Sequence, residues 1–213
     1  AIIFDMDGVL RVGNKAISNA NDIINLMVMN NIPGMISTNE CRYTDIELRE
    51  ELSELGINVP NKWCIYTAGM AVRDFLKKKI ENKKNKKYYL GIIGERGLFE
   101  TINTLTSNNN CFITDIPPSK MNSDNVELLL IIGTVNKIKI TNLEKGLKWI
   151  NKGAKIITTC CDTTDPSSKG DFNLGMPSHI LHLLKYNTKF IRYYSLGKPH
   201  PIFKEKILKE FPN

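Results

Sequence analysis

The chain has 213 residues, 42% hydrophobic and 24% charged, which describes an ordinary folded protein of one large domain or a domain carrying a smaller one. Its formal net charge is +7, but the densest basic stretch, "KKKIENKKNKK" at 77–87, holds seven lysines with no interleaved aromatic residue. That pattern argues for a solvated linker or helix end rather than a nucleic-acid surface, and no apolar run approaches the ~18 residues of a membrane span.

The first apolar run, 2–4, leads directly into Asp5, Met6, Asp7 and Gly8. Two carboxylates so close repel one another, and burial raises the energy of each. An Asp-Gly turn explains the pair as readily as chemistry does. Further strand-like runs follow at 33–37, 63–66, 88–94, 127–132, 155–160 and 190–196. The stretches between them, such as "SNANDIINLMVMNN", "YTDIELREELSELG" and "TNLEKGLKWINKG", carry apolar residues at helical spacing. Gly56 and Gly153 stand where two of these helices should stop. Alternating strands and helices predict an α/β fold built on parallel sheet with both faces covered.

The second strand ends in Ser37, Thr38 and Asn39. A hydroxyl and an amide at the carboxyl end of a parallel strand suit a phosphoryl oxygen, since ligands bind at that edge. Thr38 serves equally as an N-cap for a helix over 43–55. The run 190–196 ends in Gly197, Lys198 and Pro199, where the lysine either neutralises an anion or is simply solvated. All three strand ends are expected at the edge of one sheet. The basic stretch at 77–87 is a composition break, and 161–173 is long and polar enough to be a substrate loop. Five cysteines stand at 41, 64, 111, 160 and 161, with no CxxC pair. They predict free thiols in a reducing cytoplasm. His179 and His182 lack a third metal ligand nearby, and are expected to be structural.

The blocks "FDMDGVL", "STNECRYTDIELREELSELGI", "IYTAGMAVRDFL", "IGERGL", "GAKIITTCCDTT" and "GKPHPIF" run in this order along nearly the whole chain. They resemble the haloacid dehalogenase superfamily, in particular its branch of p-nitrophenyl, phosphoglycolate and pyridoxal phosphate phosphatases. The resemblance implies a Rossmann-like core carrying an inserted α/β cap. The core would comprise 1–87 and 188–213 and the cap 88–187, with its own sheet and hydrophobic core. A hairpin over 9–17 would turn at Gly13-Asn14. Asp5 would be the nucleophile that forms an aspartyl-phosphate, and Asp7 the general acid and base. Thr38 and Asn39 would hold phosphoryl oxygens, Lys198 would balance charge, and Asp162 would contact the substrate. Mg²⁺ would bind the Asp5 carboxylate and the Asp7 backbone carbonyl.

The implied activity is hydrolysis of a small phosphorylated metabolite in the cytoplasm, with no nucleic-acid or membrane partner and with homodimerisation through the cap. A phosphotransferase differs only in the final acceptor. Two departures bear on the substrate: Glu40 stands where the family has Asn, and "LGMPSHI" keeps only Gly175 of a Gly-rich segment. The family's fourth motif, an acidic segment supplying a further metal ligand, does not follow Lys198 within these residues. The natural chain is therefore expected to continue past Asn213, and, with Ala1 directly at the first strand and no initiator Met, to begin a few residues earlier. An open sheet edge is expected near 190–196. The alternative is a catalytically impaired relative that binds a phosphorylated ligand or a protein.

Overall fold

The computed structural model describes residues 1–83, 85–119, 125–166, 172–188 and 193–212. Strand β1 (Ile2–Phe4) is followed by a hairpin, β2 (Arg11–Val12) and β3 (Lys15–Ala16), which turns at Gly13-Asn14 as expected. Next come α1 (Ala20–Met29), β4 (Gly34–Thr38), α2 (Asp45–Glu54), β5 (Cys64–Thr67) and α3 (Ala68–Asn82). The basic stretch is thus the last turn of α3 and the approach to the next strand.

The chain continues with β6 (Lys87–Ile93), α4 (Arg96–Asn103), β7 (Cys111–Ile113), β8 (Val126–Ile132), α5 (Ile140–Asn151) and β9 (Lys155–Thr158). A short hairpin, β10 (Thr164–Pro166) and β11 (Phe172–Leu174), precedes α6 (Met176–Tyr186), β12 (Tyr193–Ser195) and α7 (Pro201–Glu210). The expected substrate loop 161–173 therefore contains a hairpin, with 167–171 outside the described residues.

Two parallel sheets result. One has the order β1-β4-β5, and the other the order β12-β9-β8-β6-β7. Strand β8, "VELLLII", is an unbroken apolar run from Leu128 onward because both of its faces are covered there. Its alternate residues part accordingly. Leu129 and Ile131 face a core shared with the first sheet, while Leu128, Leu130 and Ile132 pack with Trp149, Ile180 and Leu184 beneath α5 and α6. The shared core joins Met35 and Tyr66 of the first sheet to Tyr88, Leu90 and Ile157 of the second, through α3 and α7. The far face of the first sheet packs on α1 and α2 through Ile36, Ile24, Leu48, Leu52 and Trp63. The later half of the chain thus has its own sheet, but only one face of that sheet has a core of its own.

One expectation fails here. The strand before Gly197 does not extend the sheet of β1 and β4. It pairs in parallel with β9, Tyr193 opposite Ile156, at the rim of the five-stranded sheet. The chain leaves α6 beside the sheet it has just built, and sequential elements pack as neighbours. The expected open edge exists at β12, with Tyr193 and Tyr194 exposed, but it belongs to the second sheet. The first sheet has its own open edge at β1, where Ile2 and Ile3 are exposed. Among the described residues, no helix is long and apolar enough to cross a membrane.

Candidate active site

The carboxyl ends of the two sheets face each other. Asp5 follows β1, Thr38 ends β4, Asp162 follows β9, and Lys198 follows β12. The loop after β4 closes the gap. The Cys41 thiol accepts from the Thr134 N–H at 3.2 Å, and the Gly97 N–H donates to the Arg42 carbonyl at 2.9 Å. This loop seats on the ends of β6 and β8, where the strand order of the second sheet reverses. Such reversals are where open α/β sheets hold ligands. Here the chain's own loop occupies the place.

Lys198 and Asp5, far apart in sequence, meet directly. The Lys198 Nζ lies 2.7 Å from Asp5 Oδ1 and donates to the Ser37 carbonyl at 3.0 Å. Asp5 Oδ1 also accepts from the Met6 N–H at 2.8 Å. Asn39 stitches the segments together: its Nδ2 donates to Asp162 Oδ2 at 2.7 Å, and its Oδ1 accepts the Lys198 N–H at 2.8 Å. A Cβ on Gly197 would stand 2.3 Å from the Thr159 carbonyl and 2.9 Å from Asn39 Oδ1, so only glycine permits this approach. Asp162 is anchored in turn, its carbonyl accepting from the Ser178 hydroxyl at 2.8 Å. Asp5, Asn39, Asp162 and Lys198 therefore form one connected set.

Thr38 and Asp7 stand beside that set rather than bonded within it. Thr38 is buried, and its hydroxyl accepts the Glu40 N–H at 3.0 Å. It does not cap α2, whose N-cap is Thr44 in a reciprocal capping box with Glu47. Asp7 Oδ1 accepts from Arg11 Nε at 3.0 Å. Burial holds the Asp7 carboxyl above its ordinary value, against the opposing pull of Arg11 and with a further push from Glu40.

Glu40, the residue that departs from the resembled pattern, bonds within its own loop. Its Oε1 accepts the N–H groups of Cys41 and Arg42 at 2.8 and 2.7 Å, and the Arg42 guanidinium grips both carboxylate oxygens. Burial alone would raise this carboxyl, but the bonds from Arg42 and the two backbone N–H groups outweigh it and hold it below the ordinary range. The extra acid is thereby neutralised inside its own loop. Arg11 is the residue that sequence reasoning missed, because a charged residue four places after Asp7 in a turn carries no recognisable spacing. His179 bonds through Nδ1 to the Gly175 carbonyl at 2.9 Å, a local helix contact. Cys41, Cys64, Cys111 and Cys161 are free thiols.

A sequence profile of haloacid dehalogenase-like hydrolases matches residues 2–105. A dihydroxyacetone phosphatase of Corynebacterium glutamicum is 27% identical over 204 residues, covering 96% of this chain and 66% of its own length. An acid sugar phosphatase of Staphylococcus epidermidis is 28% identical over 209 residues, covering 98% and 72%. The chain thus spans about two-thirds of the length of these relatives. A crystal structure of a protein from Pyrococcus horikoshii superposes over 100% of this chain and 76% of its own, with a TM-score of 0.76 at 26% identity. The chain is thus similar to haloacid dehalogenase-like hydrolases, by sequence profile over residues 2–105 and by fold over its whole length.

Proposed function

We propose that this chain carries the site of a phosphomonoester hydrolase for a small phosphorylated metabolite, working through an aspartyl-phosphate. The observation that supports this reading is the Lys198–Asp5 contact at 2.7 Å, made where two sheets present their carboxyl ends to one cleft. A carboxylate so held is a nucleophile with its charge partly balanced. In this reading an Asp5 oxygen bonds to phosphorus as the ester P–O bond breaks, and Asp7 gives its proton to the departing alkoxide. Water then attacks the aspartyl-phosphate, Asp7 takes the water's proton, and phosphate leaves. Lys198 offsets the charge on the phosphoryl oxygens throughout. Asn39, already spent on Lys198 and Asp162, holds those two residues in place.

The donor set fits Mg²⁺. The Asp5 carboxylate and the Asp7 backbone carbonyl are hard oxygens, and among the described residues no group of three or more His, Cys, Asp or Glu side chains is placed to hold a metal ion. Mg²⁺ is commonly held by one or two carboxylates, several waters and the substrate's own phosphate. When bound, it supplies further charge neutralisation at the phosphoryl oxygens.

The relatives' names recommend an ester panel led by dihydroxyacetone phosphate and sugar phosphates, assayed with Mg²⁺. Asp5→Asn should abolish turnover on every active ester while leaving the thermal midpoint close to wild type, because the amide is nearly isosteric but a poor nucleophile. Wild-type turnover by Asp5→Asn would overturn the nucleophile assignment. A wild-type protein that binds phosphate esters but hydrolyses none would establish the impaired binder instead.

A further inference from the structure

We propose that Arg11 is the positioning residue for Asp7, a role that rests on the phosphatase reading above. Arg11 is among the most enclosed charges in the molecule, with its side chain 3% exposed, yet three carboxylates reach it. Its Nε lies 3.0 Å from Asp7 Oδ1, its Nη1 2.7 Å from Glu51 Oε2, and its Nη2 3.9 Å from Glu40 Oε2. A guanidinium is a flat fork whose donors keep fixed relative directions. Glu51 and Glu40 attract the far prongs as charges, without an aligned hydrogen bond from Nη1, and so bias where Nε points.

The backbone repeats the same connection. The Arg11 N–H donates to the Met6 carbonyl at 3.1 Å, and the Gly8 N–H donates to the Arg11 carbonyl at 2.7 Å. Gly8 at φ +86° supplies the turn that folds residue 11 back over residue 7. Asp7 itself is partly open, with its side chain 38% exposed, and its contact with Arg11 is what holds the carboxylate against the cleft wall. Oδ1 is committed to Arg11, which leaves Oδ2 as the oxygen that exchanges a proton. A general acid must lie within hydrogen-bond reach of the leaving oxygen, and a misplacement of about 1 Å can cost on the order of 10²-fold.

The same cluster also ties the acid to the phosphate loop. Glu40 stands two residues after Thr38 and touches both Arg11 and Arg42. Arg11 thus links the position of Asp7 to the loop that carries Thr38 and Asn39.

The test compares kcat/KM, which reports the steps up to release of the alcohol, for two esters with Mg²⁺ present. Glycerol phosphate needs its leaving oxygen protonated, whereas p-nitrophenyl phosphate releases a stable phenolate. Arg11→Met should lower kcat/KM about 10²-fold on glycerol phosphate and less than about threefold on p-nitrophenyl phosphate. Asp7→Asn should show the same imbalance, and the double variant should show no more than Asp7→Asn alone. An equal loss on both esters, or additive losses in the double variant, would overturn the proposal. If Arg11→Met fails to fold, Arg11→Lys keeps a buried cation that cannot bridge Asp7 and Glu51 together. Its imbalance should fall between wild type and Asp7→Asn, and a wild-type ratio would equally overturn the role. A wild type inert toward both esters would remove the phosphatase reading itself, and this proposal with it.

Discussion

Two clusters of charge sit at opposite edges of the sheets, and they are built with opposite polarity. At the amino end of β8, the Glu127 carboxylate is 5% exposed and is met by Lys155, Lys79 and Lys86 at 3.0, 3.1 and 3.4 Å. The acid is buried, and the lysines keep part of their length in water. At the carboxyl edge the order is reversed. There the Arg11 cation is buried, while Asp7 and Asp5 are 38% and 48% exposed. A cluster that only stabilises buries its acid under flexible cations. The other cluster buries a rigid cation together with Glu40 and presents Asp7 to the cleft. Burying the cation forfeits hydration and gains a fixed geometry, which is what a reacting carboxylate requires.

The largest expected effect separates the two clusters by activity. Lys198→Met should lower kcat by about 10²–10³-fold, as the loss of one charge-stabilising donor commonly does. Its thermal midpoint should hardly move, because both partners of that pair are substantially exposed and surface pairs add little. Glu127→Gln should leave kcat within about twofold, since the residue lies at the far edge of the sheet. Steady-state kinetics on the best ester from the panel decides the matter. Loss of turnover in Glu127→Gln would erase the functional contrast.

Much of this contrast was legible in the sequence, though unevenly. The strand ends at Asp5 and Thr38 and the Gly-Lys-Pro turn could be read because apolar runs end abruptly in polar residues there. The structure joins Lys198 to Asp5 and Asn39, as those strand ends suggest. What could not be read is which sheet each strand enters. The apolar residues around β12 and β8 report that a face is covered, not what covers it. For that reason β12 is expected in one sheet with β1 and β4 but pairs with β9 instead, and one core serves both sheets. Glu40 reads as an intrusive acid because its partner, Arg42, is identifiable only once the loop is folded. Arg11 was invisible for the same reason. Its importance lies in enclosure by residues 7, 40 and 51, and a single chain carries no sign of that.

A smaller effect tests the stabilising cluster directly. Glu127→Ala leaves three lysines facing one another over a vacated buried site. Removing one partner of a fully buried pair costs about 3–5 kcal/mol. These lysines are 24%, 24% and 48% exposed and can turn into solvent, so the expected cost is about 1–2 kcal/mol, or roughly 2–8 °C in Tm. Urea or thermal unfolding followed by circular dichroism measures it. A loss of similar size in Arg11→Met would not blur the comparison, because only Arg11→Met should also unbalance the two esters.

The smallest effect is the pH dependence of the Glu127 contribution. Burial alone would raise this carboxyl, but its bonds to Lys155 and Lys79 outweigh burial and hold it below the ordinary value. A carboxyl depressed on folding contributes stability that is fully present above its unfolded value of about 4.3 and fades as pH falls through the lower folded value. Glu127→Gln keeps the shape and removes the charge. The difference in unfolding free energy between wild type and this variant should therefore be constant well above the unfolded value and shrink as the pH falls below it through the lower folded value. Other carboxyls titrate over the same range, but they do so in both proteins and cancel in the difference, provided they lie away from the site. Added salt should leave the difference largely intact, since the acid is enclosed and screening acts mainly on exposed charges. A difference that persists unchanged at the acid end would mean that Glu127 contributes by shape and hydrogen bonding alone, and the three lysines would then be neighbours rather than partners.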